Sequence, residues 1–154
     1  MLRTRLDEFG RGKIGLAELT GAGKEMRAAF ARRAKRLIAE ARSSEASSIL
    51  RALCLLDPED ASLHAWLGWL QLDDADPECA AESFRRAVNI APSARVYRAY
   101  LIEALLGCAR FEAAAAQMQA LLDGDPECAD PATLWAKERV LASAHRLGIG
   151  APQP

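Results

Sequence analysis

Cys54, Cys79, Cys108 and Cys128, together with His64 and His145, are the side chains of this 154-residue chain best equipped for nucleophilic or metal chemistry. A zinc centre gathers several thiolates and imidazoles, usually with a close CxxC pair, and no such pair occurs here. Each cysteine has at least one apolar neighbour in sequence, and the four read as buried, reduced thiols rather than a disulfide framework. The two histidines fall in different predicted helices, with no serine or cysteine arranged beside either as a nucleophile. Glu112 and Asp123 read as solvated helix surface. The string "TGAGKEM" at 20–26 looks at first like a phosphate loop, but Glu18 stands where its first glycine belongs. Lys24 is followed by Glu25 instead of Ser or Thr, and no strand precedes it. No catalytic, metal or cofactor site is expected, so the chain is expected to bind rather than to catalyse.

The elements behind these residues are helices. Apolar residues make up 51% of the chain and aromatics only 6%, a balance that favours packed helices over sheets. One domain of this length buries about 70% of its unfolded surface. No apolar run reaches the ~20 residues of a membrane span, and "MLRTRLDEFGRGK" lacks the apolar core of a signal peptide. A cytoplasmic protein without stable membrane insertion is the expectation. Net charge is −1 but uneven: residues 1–36 hold ten Lys/Arg to four Asp/Glu, and residues 37–154 hold ten to seventeen.

Pro58, Pro92 and Pro126 are spaced by 34 residues, and other positions keep the same step. Residues 61–94 carry Leu67-Gly68, Ala80, Phe84, Ala87 and Pro92; one step back lie Ala46, Leu50, Leu53 and Pro58, and one step forward Ala114, Met118, Leu121 and Pro126. This pattern resembles the tetratricopeptide repeat. It predicts an all-α solenoid with repeats at 27–60, 61–94 and 95–128. Helices are expected at about 24–40, 45–56, 61–73, 77–90, 95–107 and 111–123, with a capping helix at about 132–147 ended by Gly148. Within the off-grid "DPEC" at 76–79, Asp76 caps a helix and Pro77 opens it, whereas Pro58 and Pro126 close theirs. Residues 1–23 form an N-terminal arm with a short amphipathic helix (Leu2, Leu6 and Phe9 on one face) broken by glycines. The repeat domain spans 24–147, and 148–154 is a flexible tail.

Stacked helical repeats bind extended peptides along a concave groove lined by the first helix of each unit. The side chains expected there are Ala31, Lys35 and Ile38, then Ala65, Trp69 and Leu72, then Val96, Ala99, Glu103 and Leu106. Thr133 and Lys137 extend the set. Trp69 is the expected hot spot, and its competing reading is packing in the core with Trp66. At Ala31, Lys35, Trp69, Ala99 and Glu103, the places where some repeats of this kind clamp an acidic tail, one lysine is no clamp.

The order of features is more particular. "GRGKIGLAEL" leads into the first unit, and "ILRALCLLDPEDASLHAWLG" into the second. With two further units and an end helix, this resembles the tetratricopeptide chaperones of bacterial type III secretion that hold hydrophobic translocators. "LCLLDPED" ahead of a helix ending "WLG" carries most of the likeness, which spans about 9–147. The family's usual Gly-plus-aromatic turn is replaced here by "DDADPEC". The resemblance implies a protein or extended-peptide client, a hydrophobic translocator, held in the groove. It also implies homodimerisation through Leu2, Leu6 and Phe9. The alternatives are a general scaffold in a larger assembly and a nucleic-acid-binding module. The last would use the five basic residues of "RAAFARRAKR" at 27–36, which otherwise read as a solvated face or a contact for an acidic partner.

Overall fold

The computed structural model describes residues 2–148, and the side chains from residue 4 onward. The side chain of Leu2, one of the expected dimer contacts, and the tail from 149 onward lie outside the described residues. The described chain is helical without strands: α1 (Leu2–Gly10), α2 (Leu16–Thr20), α3 (Lys24–Ala39), α4 (Ser43–Leu56), α5 (Ala61–Asp73), α6 (Pro77–Ile90), α7 (Arg95–Gly107), α8 (Phe111–Gly124) and α9 (Pro131–Arg146). The expected helices are all present within two residues at either end. The short α2 was not anticipated. It forms because the Glu18 carboxylate accepts the Gly15 N–H at 3.0 Å, and Gly21, at φ +71°, ends it in the left-handed region. The supposed phosphate-loop segment is thus the turn from α2 into α3.

The 34-residue period recurs in backbone geometry. Ala41, Ala75 and Ala109, one step apart, all sit in the left-handed region, with φ of 56°, 58° and 56°. After each, an N–H reaches back five residues: Arg42 to Leu37 (2.9 Å), Asp76 to Gln71 (2.8 Å) and Arg110 to Leu105 (2.9 Å). This Schellman closure ends the first helix of each unit and is usually built around glycine. The Asp76 carboxylate then accepts the Cys79 N–H at 3.2 Å, with Pro77 in the first turn of α6, as the sequence implied.

The proline turns repeat as well. The N–H groups of Asp60, Ala94 and Cys128 donate to the carbonyls of Asp57, Ala91 and Asp125. The third turn is longer. The buried Asp125 carboxylate accepts the N–H groups of Ala129 and Asp130, each at 2.9 Å, and α9 starts at Pro131, two residues after the 34-residue grid would place it. These donors, Asp130 first, hold the Asp125 carboxyl below its ordinary pKa against the opposing effect of desolvation, with Arg95 adding to the lowering.

The small-residue positions of the pattern are buried, Ala34, Gly68, Ile102 and Ala136 in one column and Ala46, Ala80 and Ala114 in another, whereas Pro58, Pro92 and Pro126 are exposed at the turns. Leu50, Phe84 and Met118 fill a third. A Cβ on Gly68 would stand 3.0 Å from three atoms of the Phe84 ring, so the missing side chain is what lets α5 and α6 approach. Beside that contact the buried Ser83 hydroxyl donates to Gln71 at 2.6 Å.

The chain divides into two compact units, Met1–Leu67 and Gly68–Pro154, with the boundary inside α5. In the first, α3 packs on α4 and α2 touches both α1 and α4. In the second, α6, α8 and α9 all pack on α7. The thiols depart from expectation: only Cys128 is buried, Cys54 and Cys108 are half-buried, and Cys79 is exposed. All four are free of disulfides. Burial, followed by the nearby Glu78 carboxylate, pushes the Cys108 thiol pKa up.

Candidate functional site

In the second unit, α7 and α9 lie side by side and leave a cleft of about 380 Å³. Val96, Ala99 and Tyr100 form one wall; Asp130, Pro131, Ala132 and Trp135 form the other. Its aromatic side is fixed from behind. The Tyr100 ring stacks on the buried Phe84, with centroids 5.4 Å apart and planes within 12°. Trp135 tilts onto Tyr100 at 5.3 Å. The Arg139 guanidinium stands 5.9 Å from the Trp135 ring and forks onto both carboxylate oxygens of Glu103, one contact measuring 2.6 Å. Glu103 raises the Arg139 pKa further, burial opposing it. Arg95 lies 3.5 Å from the Asp130 carboxylate, whose other oxygen accepts the Ala132 N–H at 2.8 Å. The charges around the cleft are therefore mutually satisfied, and what it offers a ligand is apolar and aromatic.

The first unit has a smaller opening, about 210 Å³, with Ala28 and Ala31 in the slots that Val96 and Ala99 hold two repeats later. Its rim is charged: Lys24, Arg27, Asp57 and Asp60 line it, and Arg27 pairs with Asp57 at 3.5 Å.

The residues expected to line a groove divide into three groups. Ala65, Ala99 and Thr133 are buried and Ala31 is half-buried, so this column packs between helices; only Ala99 reaches a cleft wall within the second unit. Thr133 is fully buried and is corrected from a surface contact to a core residue. Ile38, Leu72 and Leu106 are half-buried. Trp69, Val96, Lys35 and Lys137 are exposed. Trp69 is 42% exposed, which removes the reading that it lies in the core. Lys35 is not a free groove cation, because its Nζ sits 4.3 Å over the Trp66 ring. Glu103 is likewise engaged, by Arg139.

Tyr100 and Trp135 were missed. Tyr100 occupies the slot that Trp66 fills one repeat earlier, and that recurrence of aromatics was a usable signal. Trp135 falls in the slot of the buried Leu101 and reads from sequence as core. The His64 Nε2–H donates to the Pro58 carbonyl at 3.0 Å, so this buried imidazole locks the first proline turn. Among the described residues no group of three His, Cys, Asp or Glu could hold a metal ion, and no helix is long and apolar enough to cross a membrane.

The fold is that of the tetratricopeptide repeat proteins. A type III secretion complex from Aeromonas hydrophila superposes with a TM-score of 0.77 at 18% identity, over 93% of this chain and 97% of that one. The type III secretion chaperone SycD of Yersinia enterocolitica, solved with a peptide of the translocator YopD, gives 0.70 at 14% identity, over 82% and 98%. The Sgt2 TPR domain from Aspergillus fumigatus gives 0.68 at 13%, over 86% and 87%. Translocator chaperones thus stand among the structural neighbours, as the sequence resemblance implied. Neither a protein-family model nor a curated protein matches the chain by sequence.

Proposed function

We propose that this protein is a non-catalytic chaperone that holds an extended, apolar segment of a hydrophobic translocator in the cytoplasm before type III export. The observation that carries the reading is the α7/α9 cleft, whose walls are apolar but for Asp130, whose aromatic rings are held rigid, and whose charges are already paired. Such a cleft takes a side chain without demanding a partner for a buried charge. The crystallised pairing of SycD with a YopD peptide supports the choice of ligand class. Lys35 and Ile38 in the first unit are further proposed contacts. In the second unit Trp69, Leu72, Val96, Leu106 and Lys137 join them, with Tyr100 and Trp135 as the new anchors. The exposed Leu6 and Phe9 of α1 are proposed homodimer contacts, with Leu2 beside them in sequence.

The test compares tagged wild type with Trp69→Arg in the native cytosol, identifying bound proteins by mass spectrometry. The reading expects a membrane-active client with wild type only, at unchanged helical content by circular dichroism. A second reading, a scaffold in a larger assembly, is favoured by the exposed Leu134 and Leu141, seven residues apart on α9. It expects the same stoichiometric partners with both proteins and their loss in Leu134→Asp/Leu141→Asp.

A further inference from the structure

The most basic stretch of the chain also carries unpartnered apolar side chains. On α3, Met26 and Phe30 are 44% and 46% exposed, and Arg33 follows at helical spacing on the same face. Ala29, Arg32 and Arg36 border them and are exposed too. The rest of α3 is occupied: Ala34 and Leu37 are buried, and Leu37 continues the stripe of Phe30 and Arg33, so the exposed apolar patch is confined to the first half of the helix; Arg27 pairs with Asp57, and Lys35 covers Trp66. Arg32 and Arg36 form no ion pair among the described residues. Arg33 feels Glu45 electrostatically, but the Glu45 carboxylate is taken by Arg42. On α3 and its C-cap the acidic residues are Glu25 and Glu40, and Glu40 pairs with Arg42.

We infer that this face of α3 docks on an anionic lipid bilayer. The arginines sit at headgroup level, and Met26 and Phe30 enter the acyl boundary, which is how an amphipathic helix lies in an interface. Charge complementarity selects the occupant. The exposed Arg32, Arg33 and Arg36 make this face positive and seek a negative partner. A nucleic acid would satisfy the arginines and leave Met26 and Phe30 in water. A second copy meeting this one through the same face would set arginine against arginine across the two-fold axis. Of these three occupants, the bilayer is the one that uses both features. The inference concerns a different helix from the α7/α9 cleft and does not depend on the chaperone reading.

The experiment is co-sedimentation of the full-length protein with vesicles of phosphatidylcholine alone and with about 30% phosphatidylglycerol, in about 0.1 M salt. The expected result is binding to the anionic vesicles only, weakened as salt rises. Arg32→Ala/Arg36→Ala should lose about fivefold in partitioning for each charge removed. Met26→Ala/Phe30→Ala should lose about tenfold or more. These side chains are exposed, so circular dichroism should not change, and the salt titration of wild type needs no variant at all. Absence of binding, equal binding to neutral vesicles, or indifference to Met26→Ala/Phe30→Ala overturns the inference. So does tight binding of a DNA or RNA duplex without vesicle binding, which assigns the face to nucleic acid. A dimer seen by light scattering and lost in Met26→Ala/Phe30→Ala, again without vesicle binding, assigns it to a second copy.

Discussion

The indole of Trp135 leans on the phenol ring of Tyr100, centroids 5.3 Å apart and planes at 55°, and so ties the last helix to α7. This contact shapes one side of the cleft and also anchors α9. Trp135→Ala should therefore lower stability by about 2 kcal/mol, seen as a lower urea midpoint. Arg139→Ala removes a guanidinium that shields the ring and pairs with Glu103, and should cost less than Trp135→Ala. An unchanged midpoint for Trp135→Ala would mean that α9 is held by other contacts.

Gly68 faces the Phe84 ring at a distance that leaves no room for a side chain. Phe84 is fully buried and cannot swing away. Gly68→Leu should cost about 2 kcal/mol or more through overpacking, outweighing the gain of about 1 kcal/mol in helix propensity. Thermal unfolding with a Phe84→Ala/Gly68→Leu double variant checks the cause, because the second change should relieve part of the first.

Ala75 and Ala109 hold the left-handed conformation at φ 58° and 56°, where a Cβ is unfavourable. Ala75→Gly and Ala109→Gly should each stabilise the fold by about 0.5–1 kcal/mol, the relief of strain exceeding the entropy that glycine adds to the unfolded chain. Chemical denaturation of the two single variants and their combination measures this. Destabilisation by both would refute the strain.

Much of this was legible in the sequence, and the exceptions have physical causes. Pro58, Pro92, Pro126 and the small residues on their grid are sequence events, so helix order and pairing could be read directly. Ala41, Ala75 and Ala109 gave no such sign, since alanine is a helix former and only backbone closure reveals its left-handed role. The groove assignment assumed that one column faces outward. Ala65, Ala99 and Thr133 instead pack inward, because small residues at a helix–helix contact serve close approach. Trp135 could not be distinguished from core by pattern. The Lys35–Trp66 and Glu103–Arg139 pairs join residues 31 and 36 positions apart, beyond the reach of local spacing.

Asp125 should give the protein an acid-sensitive component. Its carboxylate caps Ala129 and Asp130, and its pKa is lowered relative to the unfolded value of about 3.9. The stabilisation is therefore present above about pH 4 and is lost as pH falls through the lower folded pKa. Asp125→Asn should differ from wild type in melting temperature at pH 7 and converge on it in strong acid. A difference that stays constant down to the lowest pH would contradict this titration.

The proposed chaperone role requires that an apolar segment of a client occupy the α7/α9 cleft. The most direct measurement uses Val96→Arg, which places a charge at the exposed edge of that cleft without disturbing buried packing. Proteins captured from the native cytosol are identified by mass spectrometry, and the recovered client's extended segment is then titrated against both purified forms by calorimetry. Wild type should yield a stoichiometric client, and Val96→Arg should lose about 2 kcal/mol or more in binding, the cost of desolvating an unpaired guanidinium. Equal affinity for the two proteins, both fully helical, would contradict it.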